Sequence, residues 1–222
     1  MDVFEAVDSR ISVRAFLDTP VPATTVREIL QAASRAPSGG NLQPWRVHAV
    51  AGRDLEDLVA LVAALPRGAE TPAYDVYPPS LWEPFRTRRF QCGEDLYASI
   101  GVEREDRAGR LRQFARNGEL FGAPVGLFFS LDRRLGPPQW SDLGMFMQTV
   151  MLLARGRGLD TCAQEFWSAF PRTLGEFLGL DEHHLLFSGM AMGYRDPDHP
   201  INALRTRRDP IEDWCELRGF DE

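Results

Sequence analysis

Arginine and serine alternate near the N-terminus in a pattern that suits anion binding. Arg10, Ser12 and Arg14 are each two residues apart, so in an extended segment their side chains lie on one side. Two guanidinium groups and a hydroxyl provide donors for the oxygens of a phosphate group. Arg205 and Arg208 lie in a second basic cluster near the other terminus, and a phosphate site could use both ends of the chain. A solvated surface is the alternative for either cluster.

A loop of small residues and primary amides covers residues 36–45. Pro37 stiffens its beginning, and Gly39 permits a close approach that a Cβ atom would block. Asn41 and Gln43 offer amide donors and acceptors to the edge of a heteroaromatic ring. These features predict a loop that lies against a flat ligand, with an ordinary turn between a helix and a strand as the alternative.

An aromatic and arginine-rich segment at about residues 66–105 is predicted to be an insertion or lid. Five prolines between residues 66 and 84 are expected to interrupt regular structure there. Its aromatic side chains could cover an aromatic substrate or pack the loop down, and its arginine side chains suit a carboxylate or remain solvated. The candidate substrate residues are Tyr77, Trp82, Arg86, Arg88 and Arg89.

Helical and strand-like patterns alternate along the rest of the chain and predict a mixed α+β or α/β domain. Thr25 and Glu28 have the spacing of a capping box at a helix start. The predicted helices cover about residues 25–35, 55–62 and 141–155, and the predicted strands cover about residues 45–50, 125–131, 159–165 and 185–192.

The composition is typical of a soluble globular protein and argues against several classes of function. The chain has 222 residues and no apolar run near the roughly 20 residues that span a bilayer. Its acidic start differs from a signal peptide, so a cytoplasmic location is expected. A net charge of −7 argues against broad binding to nucleic acid. All 25 residues counted as lysine or arginine are arginine. Three cysteines without a CxxC pair and four histidines without the spacing of metal ligands predict no metal site.

Several of these segments together resemble the FMN-dependent nitroreductase family, in the family's order and over nearly the whole chain. They are residues 9–16, 36–45, 158–165, 193–195 and 205–210. The sequence Ser38-Gly39-Gly40-Asn41-Leu42-Gln43-Pro44-Trp45 and the aromatic insertion look most like the nitrobenzoate-reductase branch. The resemblance implies an α+β fold in which helices flank a central mixed sheet, as a single domain over residues 1–222. It also implies an intertwined homodimer.

The same resemblance implies FMN at each subunit interface, with NADH or NADPH as electron donor in a ping-pong reaction. Redox chemistry on the flavin requires no catalytic side chain. Phe166 follows the flavin-facing segment at a position where many relatives have glycine, and Arg207 competes with Arg208 for the phosphate. The implied cofactor-binding residues are Arg10, Ser12, Arg14, Pro37, Ser38, Gly39, Asn41, Gln43, Gln164, Glu165, Arg205 and Arg208.

The expected function is reduction of nitroaromatic or similar electron-poor small molecules. A quinone, enone or specialised biosynthetic oxidoreductase is the alternative within the same fold. A flavin-binding protein without reductase turnover would have the same binding motifs, and an acidic interaction domain would bind no flavin at all. No nucleic acid or membrane partner is expected.

Overall fold

Four strands form one sheet in the computed structural model, which describes residues 1–66 and 68–220. The strands are β1 (Arg46–Ala51), β2 (Val125–Asp132), β3 (Asp160–Gln164) and β4 (His184–Gly193). They lie in the order β1-β2-β4-β3, and each neighbouring pair is antiparallel. The sheet itself is thus antiparallel, and the one parallel pairing beside it in the described residues is an isolated bridge between Ser12 and Thr161.

Seven α-helices surround the sheet within the described residues. They are α1 (Val3–Ser9), α2 (Ala23–Ala33), α3 (Gly52–Ala63), α4 (Phe85–Ser99), α5 (Arg107–Ala115), α6 (Pro137–Gly156) and α7 (Pro171–Leu178). Short 3₁₀ helices cover Gly39–Asn41, Arg116–Gly122, Glu165–Ala169, Pro200–Ala203 and Ile211–Asp213. Among the described helices, none is long and apolar enough to cross a membrane.

Both faces of the sheet are covered, which explains why β2 is apolar along its length rather than alternating. Leu127 and Phe129 pack into one core cluster with Phe146 of α6. Phe128, between them, points to the opposite face and packs with Trp167. Successive side chains of a strand point to opposite faces, so a strand covered on both sides reads as a continuous apolar run.

The strands predicted from sequence are confirmed to within two residues at each end. The predicted capping box is wrong, because α2 begins at Ala23 after Pro22 and has no side-chain hydrogen bond at its N-cap. Thr25 therefore lies inside the helix. The central helix is confirmed but starts at Pro137, because two prolines suit the first turn of a helix.

The predicted irregular structure of the insertion is wrong beyond Pro84, where the 15-residue helix α4 begins. A helix of this kind gives no apolar periodicity in the sequence, because none of its residues is buried in the chain. Ion pairs with neighbouring segments accompany it instead, including Glu94 with Arg110 of α5 at 2.6 Å.

Candidate functional site

A cavity of about 1070 Å³ lies beside the end of β3. Residues of α3, α5 and the segment before α4 line it together with the Gln164 end of β3. Its wall is largely aromatic and apolar, and the Phe166 ring contacts both Phe114 and Phe170. A concave, mainly apolar space with a few polar groups is the usual form of a small-molecule site.

The N-terminal arginines lie along the edge of β3, because the segment after α1 pairs with that strand. Ser12 bridges Thr161, and the backbone N–H of Val13 donates to the Thr161 carbonyl at 3.0 Å. Arg14 lies in the lining of the cavity. The alternating residues Arg10, Ser12 and Arg14 therefore run beside β3, and Arg14 is the one of the three that lines the cavity.

Asn202 holds this segment in place by replacing a strand partner. Its Oδ1 accepts from the backbone N–H of Arg14 at 3.0 Å, and its Nδ2 donates to the carbonyl of Ala15 at 2.8 Å. Nδ2 also donates to the carbonyl of Asp196 at 2.8 Å. Sequence reasoning missed Asn202, since an asparagine before the basic tail gives no signal of a contact with residue 14.

The basic tail approaches the same place from the other end of the chain. Arg205 forms an ion pair with Asp8, just before Arg10, at 3.0 Å. Burial lowers the pKa of Arg10, and the positive charges of Arg208 and Arg205 lower it further. Arg207 instead pairs with Asp95 of α4 at 3.2 Å. The two predicted basic clusters therefore form one cationic group beside β3.

Cys162 lies beneath this cationic group in the centre of β3. Burial raises the pKa of its thiol, while the charges of Arg14 and Arg10 act in the opposite direction. The neutral thiol contributes a small side chain without negative charge to this side of the strand.

A network of ion pairs and hydrogen bonds around Asp160 fixes the first residue of β3. Asp160 is buried and accepts from Arg195 Nη2 at 2.6 Å and from Arg155 Nη1 at 3.0 Å. Arg155 Nε also donates to Ser9 Oγ at 3.3 Å, one residue before Arg10. Sequence reasoning did not single out Asp160. Its carboxylate binds Arg155 and Arg195, and Arg155 in turn contacts Ser9, so the network fixes the position at which the segment of Arg10 begins.

The glycine loop takes a tight shape with several residues in the left-handed region. Gly40, Asn41 and Gln43 have φ of 58°, 56° and 49°. The Gln43 backbone N–H donates to Ser38 Oγ at 3.0 Å, and the Gln43 Nε2 donates to the Asn41 carbonyl at 3.2 Å. Residues 37–43 do not contribute to the cavity lining within the described chain.

Asp142 of α6 anchors that loop. Its carboxylate accepts from the backbone N–H of Gly39 at 3.2 and 3.3 Å and is itself buried. The amide side chains of Asn41 and Gln43 lie on the exposed side. The loop is therefore fixed at Gly39 while its polar side chains face outward.

Gln164 and Glu165 lie where β3 leads into a 3₁₀ helix, and both line the cavity. The buried Gln164 side chain donates from Nε2 to the carbonyl of Asn117 at 2.9 Å. Glu165 is exposed. Phe166 turns into the aromatic wall, at ring-centroid distances of 5.5 Å from Trp167 and 5.3 Å from Phe170.

The structure separates the candidate substrate residues into two groups. Tyr77 and Arg89 line the cavity, and the Arg89 guanidinium lies 4.4 Å from the centroid of the Tyr77 ring. Trp82, Arg86 and Arg88 are absent from its lining. Arg86 pairs with Glu83 at 2.6 Å, and Arg88 pairs with Asp209.

Comparison with known proteins places this arrangement in a known class. The chain has the α+β fold of nitroreductases: it superposes on the FMN and NADPH-dependent nitroreductase NfnB from Sphigopyxis sp. strain HMH with a TM-score of 0.96 and 44% identity, covering 99% of this chain and 100% of that one. NfnB from Mycobacterium smegmatis, solved in complex with NADPH, gives a TM-score of 0.91 at 28% identity over 97% of each chain. The Nitroreductase family model matches residues 7–194, and the chain belongs to this family.

Characterised relatives are similar over almost their full length. A 4-nitrobenzoate reductase from Pseudomonas putida is 38% identical over 99% of this chain and 97% of its own. A nitrobenzene nitroreductase from Ectopseudomonas oleovorans is 37% identical over 95% of this chain and 94% of its own. The family predicted from the sequence is confirmed.

Proposed function

We propose that the chain is an FMN-dependent NAD(P)H oxidoreductase that reduces nitroaromatic small molecules in a ping-pong reaction, as a homodimer. Its relatives include reductases of 4-nitrobenzoate and of nitrobenzene, and structural neighbours described as dependent on FMN and NADPH. A cytoplasmic location stays a prediction. The acceptor is an electron-poor aromatic compound small enough for the cavity beside β3.

The cationic group beside β3 carries this proposal. Arg10 is partly buried, and its pKa is lowered by burial and by Arg208 and Arg205. Three neighbouring guanidinium groups repel one another unless an anion lies between them. A phosphate monoester fits this donor set, because guanidinium forks bind its oxygens in pairs.

The proposed roles at the phosphate follow from these positions. Arg10, Ser12 and Arg14 supply donors from the edge of β3, and Arg205 and Arg208 supply them from the tail. Arg207 is assigned elsewhere, since its guanidinium pairs with Asp95 and its charge is not among those that act on Arg10. The charges that act on Arg10 are those of Arg205 and Arg208, which supports Arg208 rather than Arg207 as the phosphate partner.

The glycine loop is proposed to meet the flavin ring of the neighbouring subunit. Pro37, Ser38, Gly39, Asn41 and Gln43 lie outside the cavity lining of their own chain, and the two amides are exposed. A fixed Gly39 with outward amides suits a surface that completes a site on another copy.

Exposed apolar side chains support the proposed dimer. Phe4 of α1 and Trp214, Leu217 and Phe220 of the tail are between 69% and 86% exposed. Exposed apolar side chains that form a contiguous patch mark surfaces that a partner covers, and the three tail residues lie within seven residues of one another.

Bound FMN would supply the two-electron redox chemistry, and the chain would bind it, orient it and exclude water. Gln164 and Glu165 are proposed to meet the ring through their backbone, at the position where β3 ends. The rings of Phe114, Phe166 and Phe170 form an aromatic wall for a flat acceptor. A water-excluded site strengthens the electrostatic interactions inside it.

Arg89 is proposed to bind the carboxylate of acidic acceptors such as nitrobenzoates. Of the candidate arginines it alone lines the cavity, and its contact among the described residues is the Tyr77 ring rather than an acid. Tyr77 would hold the guanidinium through a cation–π contact while leaving its donors available. Arg86 and Arg88 already pair with acids.

The test is a spectroscopic titration of purified protein supplied with FMN. We expect bound flavin bands that bleach when NADH or NADPH is added without oxygen and recover when 4-nitrobenzoate follows. Bleaching without recovery would favour a quinone or enone as acceptor, and bound flavin that neither coenzyme bleaches would indicate a flavin-binding protein. No binding of FMN would refute the proposed function.

A further inference from the structure

Helix α4 has an unusual position, since it contacts the cavity with one side chain and the basic tail with others. Arg89 reaches the cavity lining. Arg88, its neighbour, pairs with Asp209, and Asp95, two turns further along, pairs with Arg207 at 3.2 Å. Residues seven apart lie on nearly the same face of a helix, so Arg88 and Asp95 form one face directed at the tail.

The tail residues that α4 contacts surround Arg208. Arg207 precedes it and Asp209 follows it, and both pair with α4. Upstream, Arg205 pairs with Asp8 at 3.0 Å. The Arg208 side chain itself bonds only within the tail among its hydrogen bonds in the described chain, to Thr206 Oγ1 at 2.8 Å and to nearby carbonyls. Its place beside Arg10 is thus set through its two neighbours.

We propose that α4 positions the phosphate-binding tail, with Arg88 and Asp95 holding Asp209 and Arg207 so that Arg208 stays beside Arg10. This inference rests on the proposed function, because it takes the cationic group to be the FMN phosphate site. Arg88 and Asp95 are positioning residues and do not touch the cofactor. The insertion that shapes the acceptor cavity would then also retain the cofactor.

The expected effect is modest because both pairs are partly exposed. Side-chain exposure is 47% for Arg88 and 36% for Asp209, and 73% for Arg207 and 32% for Asp95. Ion pairs of this kind contribute little, equivalent to about a two- to fivefold change in an equilibrium constant. Added salt should reduce that change, since exposed charges are screened.

The experiment compares FMN with riboflavin, which carries the same ring without phosphate. Dissociation constants are measured by flavin fluorescence for the wild type, Arg88→Ala, Asp95→Ala and the charge-exchanged variant Arg88→Asp with Asp209→Arg. We expect each alanine variant to bind FMN about two- to fivefold more weakly and riboflavin equally well, with a smaller difference at high salt. The exchanged variant should recover most of the FMN affinity.

Arg86→Ala is the matched control, because Arg86 lies on the same helix but pairs with Glu83 instead of the tail. It should leave the ratio of FMN to riboflavin affinity unchanged. Equal losses for both flavins, or no loss of FMN affinity in either alanine variant, would overturn the positioning role while leaving the proposed function intact. A wild type that binds no FMN would overturn both, and far-ultraviolet circular dichroism verifies that each variant is folded.

Discussion

Replacing Asp160 with asparagine should lower the free energy of unfolding by about 3 kcal/mol. Asp160 is 2% exposed. Its Oδ1 accepts from Arg155 Nη1 at 3.0 Å and from Arg195 Nη2 at 2.6 Å, and its Oδ2 accepts from Arg195 Nε at 2.7 Å. Asparagine keeps the shape and the Oδ1 acceptor. It removes the charge and directs an N–H donor at the Nε donor of Arg195.

The magnitude follows from the burial of the three groups. Removing one partner of a buried ion pair costs roughly 3–5 kcal/mol, because the remaining charge is buried without compensation. The side chains of Arg155 and Arg195 are 15% and 30% exposed, so water can solvate them in part. The lower end of the range applies. For a chain of this length, about 3 kcal/mol corresponds to a melting temperature lower by roughly 6–12 °C.

Urea unfolding followed by tryptophan fluorescence measures the difference. Both proteins should be free of flavin and at the same concentration, since ligand binding and association shift apparent stability. Asp57→Asn is the control, because Asp57 is exposed and its closest contact to Arg53 is 3.8 Å; its effect should stay below about 0.5 kcal/mol. An Asp160→Asn variant within about 1 kcal/mol of the wild type would refute the reasoning.

Three further changes have distinct expected results. Arg89→Gln should raise the KM for 4-nitrobenzoate about tenfold and leave that for nitrobenzene unchanged, and equal effects in steady-state kinetics would contradict the carboxylate role. Burial raises the pKa of Glu70, but hydrogen bonds from the Thr173 side chain and from backbone N–H groups outweigh it, so the pKa is lowered. Its stabilisation is therefore present above the ordinary glutamate pKa and lost as pH falls through the folded-state value. Glu70→Gln should cost about 1 kcal/mol near pH 7, and in thermal melts this difference from the wild type should shrink in acid; a constant difference would argue against it. Gly189→Ala places a Cβ 2.8 Å from Trp167 Cγ and should cost about 3 kcal/mol in urea unfolding, whereas a neutral effect would show that the indole can move.

The core of the fold could be predicted from the sequence because its elements repeat simple periods. The run from Val125 to Leu131 is apolar because α-helices and loops cover both faces of β2. Helix α4 could not be predicted in this way, since no residue of it is buried. Its contacts include ion pairs with α5 and with the tail, and the spacing of charges does not reveal which segments will meet.

The motifs of the candidate site could be predicted from the sequence, but the contacts that hold them in place could not. The alternation of Arg10, Ser12 and Arg14 predicted donors on one side, and the pairing of this segment with β3 brings Arg14 to the cavity. The roles of Asp160 and Asn202 depend on contacts across the chain, between residues 160 and 195 and between residues 202 and 14. Such side chains look ordinary in the sequence. What distinguishes them is that folding buries them next to a charged side chain or a backbone polar group from another part of the chain.

The acidic net charge and the cationic site favour the same kind of ligand. A net charge of −7 repels an extended polyanion, and this repulsion acts over roughly 10 Å at moderate salt. Within the cationic group, the pKa of Arg10 is lowered by burial and by two neighbouring arginines, so positive charge there is unfavourable by itself. The single phosphate of the proposed FMN would reduce that repulsion, and it would bring far less negative charge against the acidic surface than a polyanion does. The arginines alone could bind either a phosphorylated cofactor or nucleic acid. The acidic charge of the rest of the chain favours the small phosphorylated cofactor.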